Sequence, residues 1–206
     1  MSDLLRRFPL FPLGIVLLPG EVVPLHIFEE RYKVMVGECL EHEREFGIVW
    51  LSDDGLREVG CTARITRLLE RMDDGRMNIL VEGARPFRLL RRIEEMRYPA
   101  GDVELLEEDE GGLSVEAGAD ARERYAELVE RVSDSRPSQT DLEQLDAYAM
   151  AATLDFELEA KQGLLELRSE ERRLERLSEL FRATLERLEH GEAVAERARS
   201  NGKVPL

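Results

Sequence analysis

FPLFPLGIVLLPGEVVPLHIFEERYKVMV, residues 8–36, sets four prolines (Pro9, Pro12, Pro19, Pro24) and two glycines (Gly14, Gly20) among short apolar runs, then turns to helical spacing. Proline fixes φ and removes a ladder donor, so Ile15-Val16-Leu17-Leu18 and Val22-Val23 read as short strands or edge pieces, and a long regular strand is excluded. From Phe28 the apolar positions are Phe28, Tyr32, Met35, Val36, Cys39 and Leu40. That is a 3.6-residue period, and Glu29-Glu30 lie where a helix dipole favours negative charge. The stretch predicts strand, turn, strand, helix.

Working outward, Phe46-Gly47-Ile48-Val49-Trp50-Leu51 is a strand closed by the turn Ser52-Asp53-Asp54-Gly55. Val59, Cys61, Ala63 and Ile65 alternate with Gly60, Thr62, Arg64 and Thr66. Met77, Ile79 and Val81 resume the alternation after Asp73-Asp74-Gly75, so residues 59–82 form a β-hairpin. Gly83 interrupts the pattern before Phe87 and predicts a bulge or sharp bend that lets the sheet curl. Val103 and Leu105 form a last short strand. Glu107 to Gly112 then reads as an acidic linker.

Beyond it the period is helical. Ala121, Tyr125, Leu128, Val129 and Val132 share a face, and Ser133 to Pro137 ends that helix. Thr140 and Glu143 have capping-box spacing ahead of Leu142, Leu145, Tyr148, Ala149 and Ala152. A short helix follows over Leu158 to Leu167. Ser169 caps another whose stripe, Leu174, Leu177, Phe181, Leu185 and Leu188, is expected to stop at Gly191. The organisation is therefore α+β: a β-rich domain over 1–112, a helical bundle over 113–190 and a flexible tail over 191–206. The short linker and the wide apolar faces of the first two helices predict that the two halves share an interface.

The net charge of −15, from 44 acidic and 29 basic residues, argues against nucleic acid and anionic membrane surfaces as partners. No run approaches the roughly 20 apolar residues of a membrane span, and MSDLLRRF lacks the apolar core of a signal peptide. A cytoplasmic location is expected. Cys39 and Cys61 fall at apolar-facing positions and read as buried free thiols.

Catalytic patterns are missing. Gly202-Lys203 is followed by Val204 and is no phosphate-cradling loop; the histidines His26, His42 and His190 have no metal-ligand spacing; no Gly-x-Ser-x-Gly elbow presents a serine. No catalytic residue, metal or cofactor is assigned. His26, between Leu25 and Ile27, reads as a histidine bonded to backbone inside the fold.

The ordered motifs FPLFPL, LLPG, PLHIFEERY, VGCTARI and LVEGARPFRL resemble the N-terminal substrate-binding domain of the Lon protease family, over roughly residues 8–190. The resemblance implies a small PUA-like β pseudo-barrel with a helical bundle behind it. It also implies a non-enzymatic module that binds unfolded or hydrophobic polypeptide segments, acting with a separate protease or assembly. The ATPase and Ser-Lys peptidase modules of the family are not expected here, since the chain ends at Leu206 with neither. Three other readings stay open: an adaptor in a larger assembly, as in cereblon-like proteins, RNA binding, as in other PUA-like domains, and an enzyme of unrecognised type. Phe28, Arg31, Tyr32 and Phe87 are the candidate substrate-binding residues, at a strand-to-helix turn that offers aromatic surface and a cation.

Overall fold

The computed structural model describes the backbone of residues 3–109 and 115–201, and the side chains of 3–109 and 118–191. Residues 110–112 of the expected linker and 202–206 of the expected tail lie outside the described residues. The strands are β1 (Leu4–Leu13), β2 (Val22–Ile27), β3 (Phe46–Ser52), β4 (Gly55–Arg71), β5 (Met77–Ile93) and β6 (Ala100–Leu105); the helices are α1 (Glu30–Glu41), α2 (Val115–Ser133), α3 (Gln139–Gln144), α4 (Ala147–Ala152), α5 (Leu158–Glu166) and α6 (Glu170–Asn201). Two compact units result, one of residues 1–109 with 148–168, the other of 110–147 with 169–206.

The first unit is built on a six-stranded sheet of order β2-β5-β4-β3-β1-β6, in which β6 also pairs with β5. The hydrogen-bonded circuit β5-β4-β3-β1-β6 is therefore closed, and β2 lies outside it on the first half of β5. β1 runs parallel to β3, with Leu10 opposite Gly47 and Leu13 opposite Trp50. The other pairs are antiparallel. All five strands of the circuit send side chains to one core: Leu10, Val49, Leu56, Phe87, Val103 and Leu105 pack together there.

Closure rests on where β5 bends. The register slips between Cys61 opposite Pro86 and Ala63 opposite Gly83, which is the bulge that Gly83 predicts. A Cβ at Gly83 would collide with the Leu18 carbonyl oxygen, so the loop before β2 can cross β5 only above a glycine. Beyond the bulge, Phe87 faces Gly60 on β4 and Leu105 on β6. Its ring covers two bare backbones: a Cβ at Gly47 would stand 2.6 Å from Phe87 Cζ, and one at Gly60 2.8 Å from the same atom.

Four sequence expectations change. Residues 15–18 are a loop, buried at 16–18, and not a strand, while residues 4–13 form a ten-residue strand in spite of Pro9 and Pro12. That strand is irregular. Its pairing with β6 slips between Leu5 and Phe8, and Arg7 has φ of +53°. The cap of α3 is Ser138, whose Oγ accepts the Asp141 amide, two residues ahead of the expected Thr140. α6 also passes through Gly191 to Asn201 without stopping, so the tail boundary expected at 191 is not a helix end.

The helical residues do not make one consecutive bundle. In the second unit α2 and α6 lie side by side and run in the same direction: the Asp120 carboxylate accepts a hydrogen bond from Ser178, Tyr125 meets Phe181 at 5.8 Å between ring centroids, and Arg131 reaches Glu189 at 2.9 Å. Parallel neighbours need a long return connection. Here α3, α4 and α5 supply it, and α3 and α4 are separate because Leu145 leaves helical geometry at ψ of 126°. Arg122 donates to the freed carbonyls of Leu142 and Leu145, and Glu170 accepts the Ala147 amide. No helix among the described residues is long and apolar enough to cross a membrane.

Residues 148–168 belong to the first unit, where α5 packs on β4. Lys161 Nζ lies 2.7 and 2.9 Å from the two oxygens of Glu21, whose Oε2 also accepts the Leu18 amide. Gln162 donates to the Val59 carbonyl at 3.1 Å. The pair is mostly buried, so removing either partner leaves a charge without compensation.

Two outcomes follow from this packing. A chain truncated after Asp109 loses α5 and should unfold at lower urea than the full chain and aggregate more readily; an unchanged midpoint would refute the role given to α5. Gly47→Ala should destabilise by about 1–3 kcal/mol through its clash with Phe87. Adding Phe87→Leu should recover part of that loss, and a urea double-mutant cycle with no coupling would refute the contact.

Candidate functional site

β1 and β3 are parallel and the other circuit pairs antiparallel, so β1, β3 and β5 end where β4 and β6 begin. At that end of the barrel the connections leave a groove of about 780 Å³. Leu10 to Leu13 of β1 form its floor. Glu29, Arg31 and Tyr32 at the start of α1 stand on one side, and Leu51, Gly55 and Leu56 of the β3–β4 turn on another. The segment from Arg92 to Ala100 completes it.

The helix start is fixed by packing. Tyr32, Met35, Val36 and Cys39 are buried along one face of α1, as their period predicts. Tyr32 lies against Phe11 with ring centroids 4.0 Å apart, and the Arg31 guanidinium sits 4.7 Å above the Tyr32 ring. Arg31 also pairs with Glu29 at 2.8 Å. Tyr98, on the β5–β6 connection, donates to Glu38 of α1 at 2.6 Å and ties the far wall to the helix.

Of the four residues picked from the sequence, Arg31 and Tyr32 line this groove, Tyr32 as a buried side chain. Phe28 does not line it. It is 59% exposed ahead of the helix and stacks on His26 at 5.9 Å. Phe87 is corrected outright as a contact residue: its exposure is 0%, because it fills the barrel core over Gly47 and Gly60. His26 is corrected too. It is exposed, and its Nδ1 bonds the Asn78 side chain at 2.6 Å instead of backbone.

Sequence reading missed Leu13, Leu51, Leu56, Met96 and Tyr98. One signal was available: Leu51 is an apolar residue immediately before a polar turn, and it is 52% exposed. Cys39 and Cys61 are both buried free thiols, as their positions implied. Burial first, then the Glu38 charge, pushes the Cys39 thiol up to about 11. Burial also raises Cys61. Neither is a ready thiolate near neutral pH.

Burial and then the hydrogen bond to Glu38 push Tyr98 up to about 12. A folded-state pKa above the unfolded value means that the native protein holds the proton longer. The stability is present below the unfolded values, about 8.5 for Cys and 10 for Tyr, and is lost as pH rises through the folded ones. The urea midpoint should therefore be level from pH 7 to 8, decline above about 8.5 and decline faster above about 10. Tyr98→Phe should cost about 1 kcal/mol at pH 8 and flatten the decline above pH 10. An identical slope in that variant would remove Tyr98 as its source.

Comparison with known proteins places this geometry in a family. The family model for the ATP-dependent protease La (LON) substrate-binding domain matches residues 7–183. Lon protease 1 of Hydrogenovibrio crunogenus is 26% identical over 202 residues, covering 90% of this chain and 24% of the relative. Lon protease 2 of Herpetosiphon aurantiacus is 28% identical over 200 residues, with 89% and 24% covered. The chain thus spans about a quarter of the length of the curated relatives it matches. Among solved structures, the Lon N-terminal domain protein from Xanthomonas campestris superposes with a TM-score of 0.65 at 29% identity, covering 82% of this chain and 95% of that one. The N-terminal domain of the Mycobacterium avium complex Lon protease gives 0.64 at 20% identity, over 84% and 97%, and shows the shared fold. With a family match over residues 7–183 and the fold it shares with the solved Lon N-terminal domains, the chain belongs to the Lon substrate-binding domain family.

Proposed function

We propose that the chain is a non-catalytic polypeptide-binding module and that the groove at the end of the barrel takes apolar segments of unfolded protein. The observation that carries the reading is the groove itself. Its volume falls in the range of ligand sites, Leu10, Leu13, Leu51, Leu56, Ile93 and Met96 give it apolar lining, and Arg31, Arg92 and Arg97 stand on it with Glu29 and Glu94. An unfolded segment offers apolar side chains and unpaired backbone, and such a site suits both. We read the five-strand circuit as a PUA-like barrel and the protein as cytoplasmic. Any proteolytic step belongs to another module or another chain.

Nucleic acid is not part of the proposal, because a charge of −15 opposes a polyanion. An adaptor role would use the same groove for a segment of a standing partner.

Leu51 separates binding from folding because it is exposed and still lines the groove. Leu51→Asp should weaken binding of fluorescein-labelled, reduced and unfolded casein by about tenfold in anisotropy titrations, with a change in stability of only about 0.5 kcal/mol. Tyr32→Ala should instead lower the melting temperature, because its ring packs on Phe11. Casein binding that Leu51→Asp leaves unchanged would move the site elsewhere.

A further inference from the structure

Beside the groove, and sharing Arg92, Ile93 and Glu94 with it, is a cleft of about 640 Å³ lined otherwise by Arg6, Arg7, Arg91, Glu95 and Asp102. Four guanidinium groups from two strands far apart in sequence meet there, on a protein whose net charge is −15. The register explains why. Arg91 on β5 is the cross-strand partner of Asp102 on β6, and the slip between Leu5 and Phe8 carries Arg6 and Arg7 of β1 to the other side of the same strand.

Asp102 is fully engaged. Its Oδ2 accepts from Arg91 at 2.8 Å and its Oδ1 from the Arg7 amide at 3.1 Å. These bonds hold its carboxyl below the usual carboxylate range. Among the described residues Arg6, Arg7 and Arg92 make no ion pair, and Arg97, on the adjoining groove, makes none either. The acidic groups that line the cleft with them are Glu94 and Glu95, both exposed after β5, and Asp102, whose carboxyl also feels the Arg6 charge. Arg7 holds φ of +53°, which costs a residue with a side chain about 1 kcal/mol; glycine would hold it more cheaply, yet a guanidinium stands there.

We propose that this cleft is an acidic subsite of the groove, receiving aspartate or glutamate side chains of an extended polypeptide whose apolar residues occupy the groove. The proposal rests on the polypeptide-binding reading above and adds a sequence preference to it. Guanidinium groups bind carboxylates through paired, charge-assisted hydrogen bonds, and three of the cleft arginines have that capacity unspent. Phosphates would satisfy the same arginines. A polynucleotide, however, brings no apolar side chain for the groove and meets the whole negative field of the protein.

The test uses the full chain and three fluorescein-labelled peptides of about 12 residues, extended in solution, with one leucine-rich centre and flanks of Glu, Gln or Lys. At about 50 mM salt the Glu-flanked peptide should bind about tenfold tighter than the Gln-flanked one and the Lys-flanked peptide weakest, the preference shrinking to about twofold at about 500 mM. In Arg6→Gln/Arg7→Gln, two exposed positions that line the cleft and not the groove, the Glu preference at low salt should fall to about twofold while the Gln-flanked peptide and the melting temperature stay as in wild type. Equal affinity for Glu and Gln flanks in wild type would overturn the acidic subsite and leave the groove standing. A Glu preference that survives in the double variant would overturn it as well. Binding of a labelled single-stranded RNA that depends on these arginines, with no Glu preference, would reassign the cleft to nucleic acid. If no peptide binds at all, the groove reading fails and the subsite with it.

Discussion

Phe87, with its neighbour Arg88, is where β5 is paired on both sides within the barrel, Phe87 having Gly60 on one flank and Leu105 on the other. A sheet can close into a small barrel only if its interior is filled without forcing the strands apart. A phenylalanine ring meets that demand here because the strands beneath it carry no side chain at Gly47 and Gly60. Phe8 meets the same ring edge-on at 6.0 Å, so the first strand is held through the core as well as through its ladder. The groove lies at the end of this barrel, and its floor, Leu10 to Leu13, continues the strand that Phe8 anchors.

The groove's walls come from connections that the barrel alone would leave loose. α1 is pinned by Phe11 against Tyr32 on one side and by the Tyr98–Glu38 hydrogen bond on the other. Loops carry binding residues well when a rigid scaffold positions them, and both pins attach directly to strands of the circuit or to their connections. The loop over residues 16–18 shows the same economy: its backbone passes over Gly83, and Glu21 holds it by accepting the Leu18 amide while pairing with Lys161.

The path of the chain is less orderly than its composition. The acidic stretch after β6 does mark an exit from the first unit, but residues 148–168 return to it before α6 leaves again. The outgoing and returning strands of chain are fastened to each other, with the Asp109 amide donating to the Arg168 carbonyl at 2.7 Å and Arg168 donating to the Glu107 carbonyl. A return of this kind is what permits α2 and α6 to run in parallel, since adjacent helices joined by a short loop must be antiparallel.

The sequence by itself determined the local elements. Alternation marked the 59–82 hairpin, and the stripes of α1, α2 and α6 named many of the residues those helices bury, Met35, Tyr125, Leu174 and Phe181 among them. Phe28, Val132 and Leu188 of the same stripes stand exposed, however, and neither Pro9 and Pro12 nor Gly191 broke its element. The ordered motifs also pointed to the family. The tertiary structure alone decided the fate of Phe87 and Phe28, the parallel pairing of α2 with α6, the return of α5 to β4 and the meeting of Arg6 and Arg7 with Arg91 and Arg92. The physical reason is the range of the information. A period of 2 or 3.6 says that residues share a face, but which surface meets that face depends on ladder partners up to about a hundred residues away, as with Leu4 opposite Glu104, and no local pattern records them.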